Sequence, residues 1–338
     1  MRLSRLHCRW LLILCVVLIV GSAGTFAWNS SSADVGPGPS QPLFAGGRLA
    51  VFPGSQTEMW LRDHPSDPRT ATLRTTLGGR ATGLWLTGSS RDLANIRDYL
   101  DAARRTNATP IIVLYNISGR DDGVSGPQRS VGVAGYRAWV DSISSALGGE
   151  RALMIVEPDA LWLADRQFAG DRRGLSDRLD ELRYAVNRLS SQPSNAVYVE
   201  AGTSSGSVST ERMAQLLDMV GVSQRVGFAV NVSSFAPQPD ILDYAGRIRL
   251  RLWQLSHVST RFVVDTSRNG RQLWDKTTWC NPPGRKVGQQ PGTTSVGVPG
   301  LDVNLWVKAP GTSDGDCGVG RGTRGGDFMP EVALDMVG

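Results

Sequence analysis

The chain reads as a parallel β/α fold, and three observations predict it. Short apolar runs of strand length recur seven times, segments of helical periodicity separate them, and nearly every run ends in polar or charged residues. The runs cover 83–87, 110–115, 153–157, 196–200, 227–231, 262–265 and 303–308. Continuous apolarity over so few residues marks strands buried on both faces, as in a parallel sheet. Helical stretches at 91–106, 131–147, 175–189, 210–220 and 240–256 supply the crossovers, and each repeat takes about 27 to 43 residues. Seven runs, not eight, point to a seven-stranded or incomplete TIM-like barrel, with an open doubly wound sheet as the alternative. No GxGxxG or GxxxxGK[ST] motif follows a run, so nucleotide binding has no support.

Before the first run lies a different kind of sequence. Arg2, Arg5 and Arg9 precede 19 uncharged, mostly apolar residues from Trp10 to Trp28. This pattern predicts an export signal or a signal anchor over 1–28, cleaved or retained, with the remainder outside the membrane. Residues 29–42, rich in Ser, Gly and Pro, predict a flexible linker, leaving 43–338 as the folded domain. The predicted localisation is secreted, or anchored to the outer face of the cell membrane. Cys8 and Cys15 fall in the apolar segment, so Cys280 and Cys317 are the pair left to form a disulfide in an oxidising compartment; two buried thiols are the alternative.

Composition narrows the chemistry. The 338 residues are 41% hydrophobic and 20% charged, which excludes a disordered or collagen-like chain. Of the formal charge of +5, three units belong to the terminal arginines, leaving +2 for residues 29–338 and no footprint for nucleic acid. The three histidines, His7, His64 and His257, lack the spacing of a metal site or a triad. Acid–base chemistry must therefore rest on carboxylates, with no metal or cofactor expected.

The run ends place those carboxylates where a barrel gathers its catalytic groups. Asp159 follows Pro158, which stiffens the turn after 153–157; Arg120 and Asp121 follow 110–115; Asp265 and Asp314 follow later runs. Converging carboxyl groups repel one another, and the least solvated keeps its proton toward neutral pH, as a general acid requires. Taken singly, Asp159 also fits a helix cap, Arg120-Asp121 a surface turn, and Asp265 with Arg268 a structural ion pair. Trp85, Trp162, Trp253, Trp274, Trp279 and Trp306 offer flat faces for sugar rings, or simply core.

From about Pro42 onward the chain resembles the glycoside hydrolase family 6 cellulases. The residues carrying the likeness include Leu43-Phe44-Ala45-Gly46, Val113-Leu114-Tyr115-Asn116-Ile117, Gly119-Arg120-Asp121, Ile155-Val156-Glu157-Pro158-Asp159 and Tyr198-Val199-Glu200-Ala201-Gly202. They continue through Gly227 to Val232, Asp265 to Gly270, Trp279 to Gly284, Trp306 to Gly311 and Ser313-Asp314-Gly315. The resemblance implies a distorted seven-stranded β/α barrel that hydrolyses β-1,4-glucosidic bonds with inversion and acts on a β-glucan as a monomer. It implies Asp159 as general acid, Asp121 as the residue keeping that acid protonated, and Asp314 as the often-proposed base. It further implies Trp85, Tyr115, Arg120, Glu200, Asn231, Arg268, Trp279 and Lys308 as substrate-binding, and it supports the Cys280–Cys317 bridge. Departures accompany it: Asp122 stands where Cys is common, Glu200 where Asp is usual, Thr203 for His, Gly206 for a stacking Trp, and Thr312 for Glu. The extra methylene of Glu200 moves its carboxylate by about one bond length, enough to matter where about 1 Å decides a rate.

Overall fold

The computed structural model describes residues 36–38, 40–119, 132–272, 278–294 and 297–338. Helices α1 (Gln56–Asp63) and α2 (Thr70–Thr76) precede the first strand. Ser55 opens α1 by accepting the Glu58 N–H on its hydroxyl at 3.3 Å. Alternation then proceeds as β1 (Leu84–Leu86), α3 (Asp92–Thr106), β2 (Ile111–Leu114), α4 (Gly132–Leu147), β3 (Ala152–Val156), α5 (Ala164–Gln167) and α6 (Arg172–Ser190). It continues with β4 (Asn195–Glu200), α7 (Thr210–Met219), β5 (Val226–Val230), α8 (Gln238–Ser256), β6 (Phe262–Asp265), β7 (Leu301–Leu305) and α9 (Pro330–Val337).

The seven strands pair in parallel in sequential order, from β1 to β7. A doubly wound sheet would reverse its strand order partway, so the sheet is the curled, distorted barrel of the first prediction. At the seam, the Gly83 N–H donates to Trp306 O at 3.1 Å and the Trp85 indole donates to Val307 O at 2.9 Å. Glycine is required there, because a Cβ at residue 83 would stand 2.6 Å from Val307 O.

Alternate strand residues feed two cores, which explains the unbroken apolarity of the runs. Ile112, Leu114, Met154, Val156, Val197, Val199, Phe228 and Val264 pack against helix residues such as Ile96, Tyr136, Leu182, Leu217 and Ile248. Their neighbours Ile111, Val113, Leu153, Ile155, Ala196, Tyr198, Ala229, Val263, Val303 and Leu305 pack with one another inside the curl. The inward register then carries Tyr115, Glu200 and Asp265 to the strand ends.

The last run differs from expectation: β7 ends at Leu305, and Trp306 turns away to pack with Leu61, Leu73, Leu77 and Ala333. Its apolarity serves helices from both ends of the domain, not the sheet. The short helices α1, α2, α5 and α9 escape the sequence pattern because each buries few side chains. Residues 36–38 and 40–42, assigned to the linker, lie along the domain: Ser259 and Arg261 donate to the carbonyls of Gly38 and Ser40. Among the described residues no helix is long and apolar enough to cross a membrane, and the arginine-led segment 1–28 lies outside them.

Asp302 ties this leading segment to the barrel. It is buried, accepts the Leu43 N–H at 3.1 Å and the Tyr198 hydroxyl at 2.7 Å, and pairs with Arg261 at 2.6 Å. Asp302→Ala leaves Arg261 without its carboxylate, and chemical denaturation should show a loss of about 3–5 kcal/mol. A loss within experimental error would mean that the network does not hold the segment.

Candidate active site

Non-glycine residues with positive φ gather after the strand ends, at Glu157 (47°), Asp159 (73°), Asn231 (65°) and Ser233 (56°), with Asn281 (43°) in the connection between β6 and β7. The other two among the described residues, Asn107 and His257, cap the C-termini of α3 and α8, an ordinary place for this conformation. Left-handed backbone in a non-glycine residue costs about 1–3 kcal/mol and persists where surrounding bonds enforce it.

Those bonds are explicit after β3. The Glu157 carboxylate accepts the N–H groups of Asn116 and Ile117 at 2.9–3.1 Å, tying the end of β2 to that of β3. The Asp159 N–H donates to Glu200 Oε2 at 3.1 Å, and its carbonyl accepts the Leu163 N–H at 3.0 Å. The Asp159 carboxyl is met on both sides: the Tyr115 hydroxyl lies 3.1 Å from Oδ2, and the Trp162 indole donates to Oδ1 at 3.1 Å. Tyr115 in turn sets its ring edge-on to Trp85, with centroids 5.0 Å apart.

Glu200 is buried beneath Asp159, and its second oxygen takes the Gly202 N–H. Burial, then the like charge of Asp159, push its carboxyl up to about 8, against the two N–H groups that favour the anion. Both oxygens are occupied by backbone, so the carboxylate supports the loop that presents Asp159.

A second cluster centres on Asp314. Burial acts to raise this carboxyl, but Arg268, Lys308 and the Asn281 N–H outweigh it and hold it below the usual carboxylate range. Arg268 Nη1 reaches both oxygens at 2.9 Å, Lys308 Nζ stands at 3.3 Å, and Asn281 N at 3.0 Å. The Arg268 guanidinium also bonds Ser233 O and lies 4.2 Å over the Phe235 ring. Burial lowers the Lys308 ammonium against the pull of Asp314. Its Nζ sits 6.0 Å above the Trp85 ring, so Trp85 borders both clusters. Beneath them Asp265 is buried, raised by burial, and accepts the N–H groups of Ser233, Ser267 and Lys308.

The structure thus brings Tyr115, Asp159 and Glu200 together, and separately Arg268, Lys308 and Asp314, with Trp85 between. Asn231 is fully buried: its amide holds Asp265 O, Ala236 N and the Thr203 hydroxyl, a bracing role for a residue expected to touch substrate. Trp279 is exposed beside the Cys280–Cys317 disulfide, which joins the loops carrying Asn281 and Asp314. Arg120 and Asp121 lie outside the described residues, as does Trp274. The sequence grouped Trp162 with the other aromatics. Its position three residues beyond Asp159, in the same turn, is the signal that sets it apart.

The Glu200 carboxyl is raised above its ordinary 4.5, so its contribution to stability is fully present below that value and is lost as pH rises toward about 8. Glu200→Gln removes this titration while forfeiting one N–H contact. Between pH 5 and 8 the wild type should lose on the order of 3 kcal/mol relative to the variant in denaturation experiments. Parallel stability curves would contradict a buried, neutral Glu200.

Comparison with known proteins follows this geometry closely. Residues 54–331 match the sequence model of the glycosyl hydrolases family 6. Endoglucanase A of Cellulomonas fimi is 37% identical over 254 residues, 75% of this chain, which spans about half (52%) of that enzyme. Endoglucanase 1 of Streptomyces halstedii is 32% identical over 290 residues, covering 84% of this chain and 87% of its own length. The solved endoglucanase Cel6 from Mycobacterium tuberculosis, in complex with a methyl-cellobiosyl-4-deoxy-4-thio-β-D-cellobioside, superposes with a TM-score of 0.76 at 33% identity. The superposition covers 88% of this chain and 98% of that one. With a family match over most of its length and the fold to go with it, this chain belongs to the glycosyl hydrolases of family 6.

Proposed function

We propose that the protein is an inverting endo-β-1,4-glucanase that cleaves internal bonds of cellulose-like glucans, with Asp159 as general acid. The observation that carries this reading is the seat of Asp159: a carboxyl at a strained strand end, gripped on both oxygens and set beside the Trp85 and Tyr115 rings. In the proposed step the Asp159 proton passes to the glycosidic oxygen and the bond to the anomeric carbon breaks, its electron pair going to that oxygen. A water attacks from the opposite face and gives up a proton to solvent, so the product hemiacetal is inverted. No covalent intermediate is needed.

Asp314 receives a different part. Its oxygens are taken up by Arg268, Lys308 and Asn281, and a carboxylate stabilised in this way has little appetite for a proton. We assign it the anchoring of Lys308 and its loop, not the role of base. The curated relatives named endoglucanases and the cello-oligosaccharide analogue bound in the mycobacterial structure support a β-glucan substrate. The arginine-led apolar segment supports export, with the enzyme working as a monomer outside the membrane.

Asp159→Asn should lower the release of reducing sugar from soluble cellulose derivatives by about 10²–10⁴-fold while circular dichroism stays unchanged. NMR of cello-oligosaccharide products should show the α-anomer first. Full activity in the variant would remove Asp159 from the mechanism. Binding of glucan without turnover by the wild type would make the protein a carbohydrate-binding module on this fold.

A further inference from the structure

We propose that a pocket behind the Arg268–Asp314 pair is a binding site for a small monovalent anion of the halide type. The pocket has a volume of about 20 Å³, room for one body the size of a water molecule or a halide ion. Its walls include Phe235, Val332 and Met336, and among the described residues no carboxylate lines it. Arg268 does line it, and this side chain belongs to a residue only 4% exposed. Its Nη1 reaches both oxygens of Asp314 and its Nη2 bonds Ser233 O, but the buried Nε meets no acceptor among the described residues. A buried donor on a cation is costly to leave without an acceptor.

Charge points the same way. Arg268 and Lys308 share one carboxylate, Asp314, while buried Asp265 beneath them is turned to the N–H groups of Ser233, Ser267 and Lys308. Arg285, which has partners of its own, sets a second guanidinium 5.1 Å from the Phe235 ring that Arg268 covers at 4.2 Å. The resemblance implies Glu at 312, in the wall of this pocket, and Thr312 brings no carboxylate. An anion from solution takes the place of that side chain. Water suits the pocket less well, because it must place two hydrogens as well as accept one. Arginines only donate, the Thr312 hydroxyl gives its proton to Ala309 O at 2.7 Å, and Asn281 Oδ1 takes the Asp314 N–H at 2.8 Å. A halide only accepts. Since Arg268 holds Asp314 and Asp314 holds Lys308, the bound ion also braces the cation beside Trp85.

In crystals of the wild type soaked in sodium bromide, an anomalous peak should stand in the pocket within hydrogen-bond reach of Arg268 Nε. A water alone there, or bromide at the surface only, would overturn the proposal. Thr312→Glu supplies a carboxylate in place of the ion, and Val332→Phe fills the pocket while keeping both arginines, so it decides the matter if the Glu variant folds poorly. The gap in thermal unfolding midpoint between wild type and either variant should move in favour of the wild type by about 2 °C for each tenfold increase in chloride, once the site is more than half filled. Sodium gluconate at the same ionic strength should leave that gap constant. A gap that ignores chloride would mean an adventitious ion only, bound at crystal concentration, and would equally overturn the proposal. None of these measurements involves turnover, so the reading of Asp159 as acid stands or falls separately.

Discussion

The site depends on one hydrogen bond more than on any other, the bond from the Asp159 main-chain N–H to the buried carboxyl of Glu200. Asp159 occupies left-handed backbone, which aspartate tolerates better than most residues and which this bond holds in place. Glu200 rises from the inner face of β4, so the barrel interior reaches up and fixes the turn after β3. A rigid strand thereby sets the direction of a side chain that belongs to a loop. The Glu200 bond to Gly202 extends the same hold to the loop after β4, and the turns following two neighbouring strands become one unit.

Electrostatics then separates carboxyl groups that the sequence presents as equivalents. Glu200 and Asp265 are buried against backbone N–H groups and are pushed toward neutrality, whereas Asp314 is buried against Arg268 and Lys308 and is held ionised. Two groups are thus bracing and one is a fixed anion, which leaves Asp159 as the carboxyl presented beside the aromatic rings among the described residues. The division comes from the partners each strand end supplies, not from the acids themselves. It also accounts for Lys308: its ammonium is drawn to Asp314 and stands 6.0 Å over the Trp85 ring, so the anion places a cation at the edge of the same surface.

Much of this was legible in the chain. Strand runs buried on both faces leave an unmistakable pattern, and the five long helices between them were found to within a few residues. Polar run ends located Tyr115, Asp159, Glu200, Asp265 and Lys308 on one face because parallel strands share a carboxyl end. Roles were less legible than places. That Asn231 holds the Thr203 hydroxyl, that Glu200 takes the Asp159 N–H, and that Arg268 grips Asp314 depend on contacts between residues 28 to 46 positions apart, which no local pattern encodes. The apolar Trp306 extended its run by mimicry, since packing against helices and packing in a sheet demand the same side chain.

The departures at 200 and 206 also make sense together. The resemblance implies an Asp and a Trp at these positions, where this chain has Glu and Gly. The longer side chain at 200 spans the distance to two backbone N–H groups, Asp159 on one side and Gly202 on the other. The small residues of the loop after β4 lie against the Trp162 ring, and a Cβ at 206 would stand in van der Waals contact with it at 3.7 Å. An aromatic surface absent from the loop after β4 is present in the turn after β3, where its N–H meets the carboxyl of Asp159. Glutamate at 200 and tryptophan at 162 thus hold the same aspartate from opposite ends, Glu200 at its main-chain N–H and Trp162 at its carboxyl, with the small residues of the loop after β4 lying against the indole.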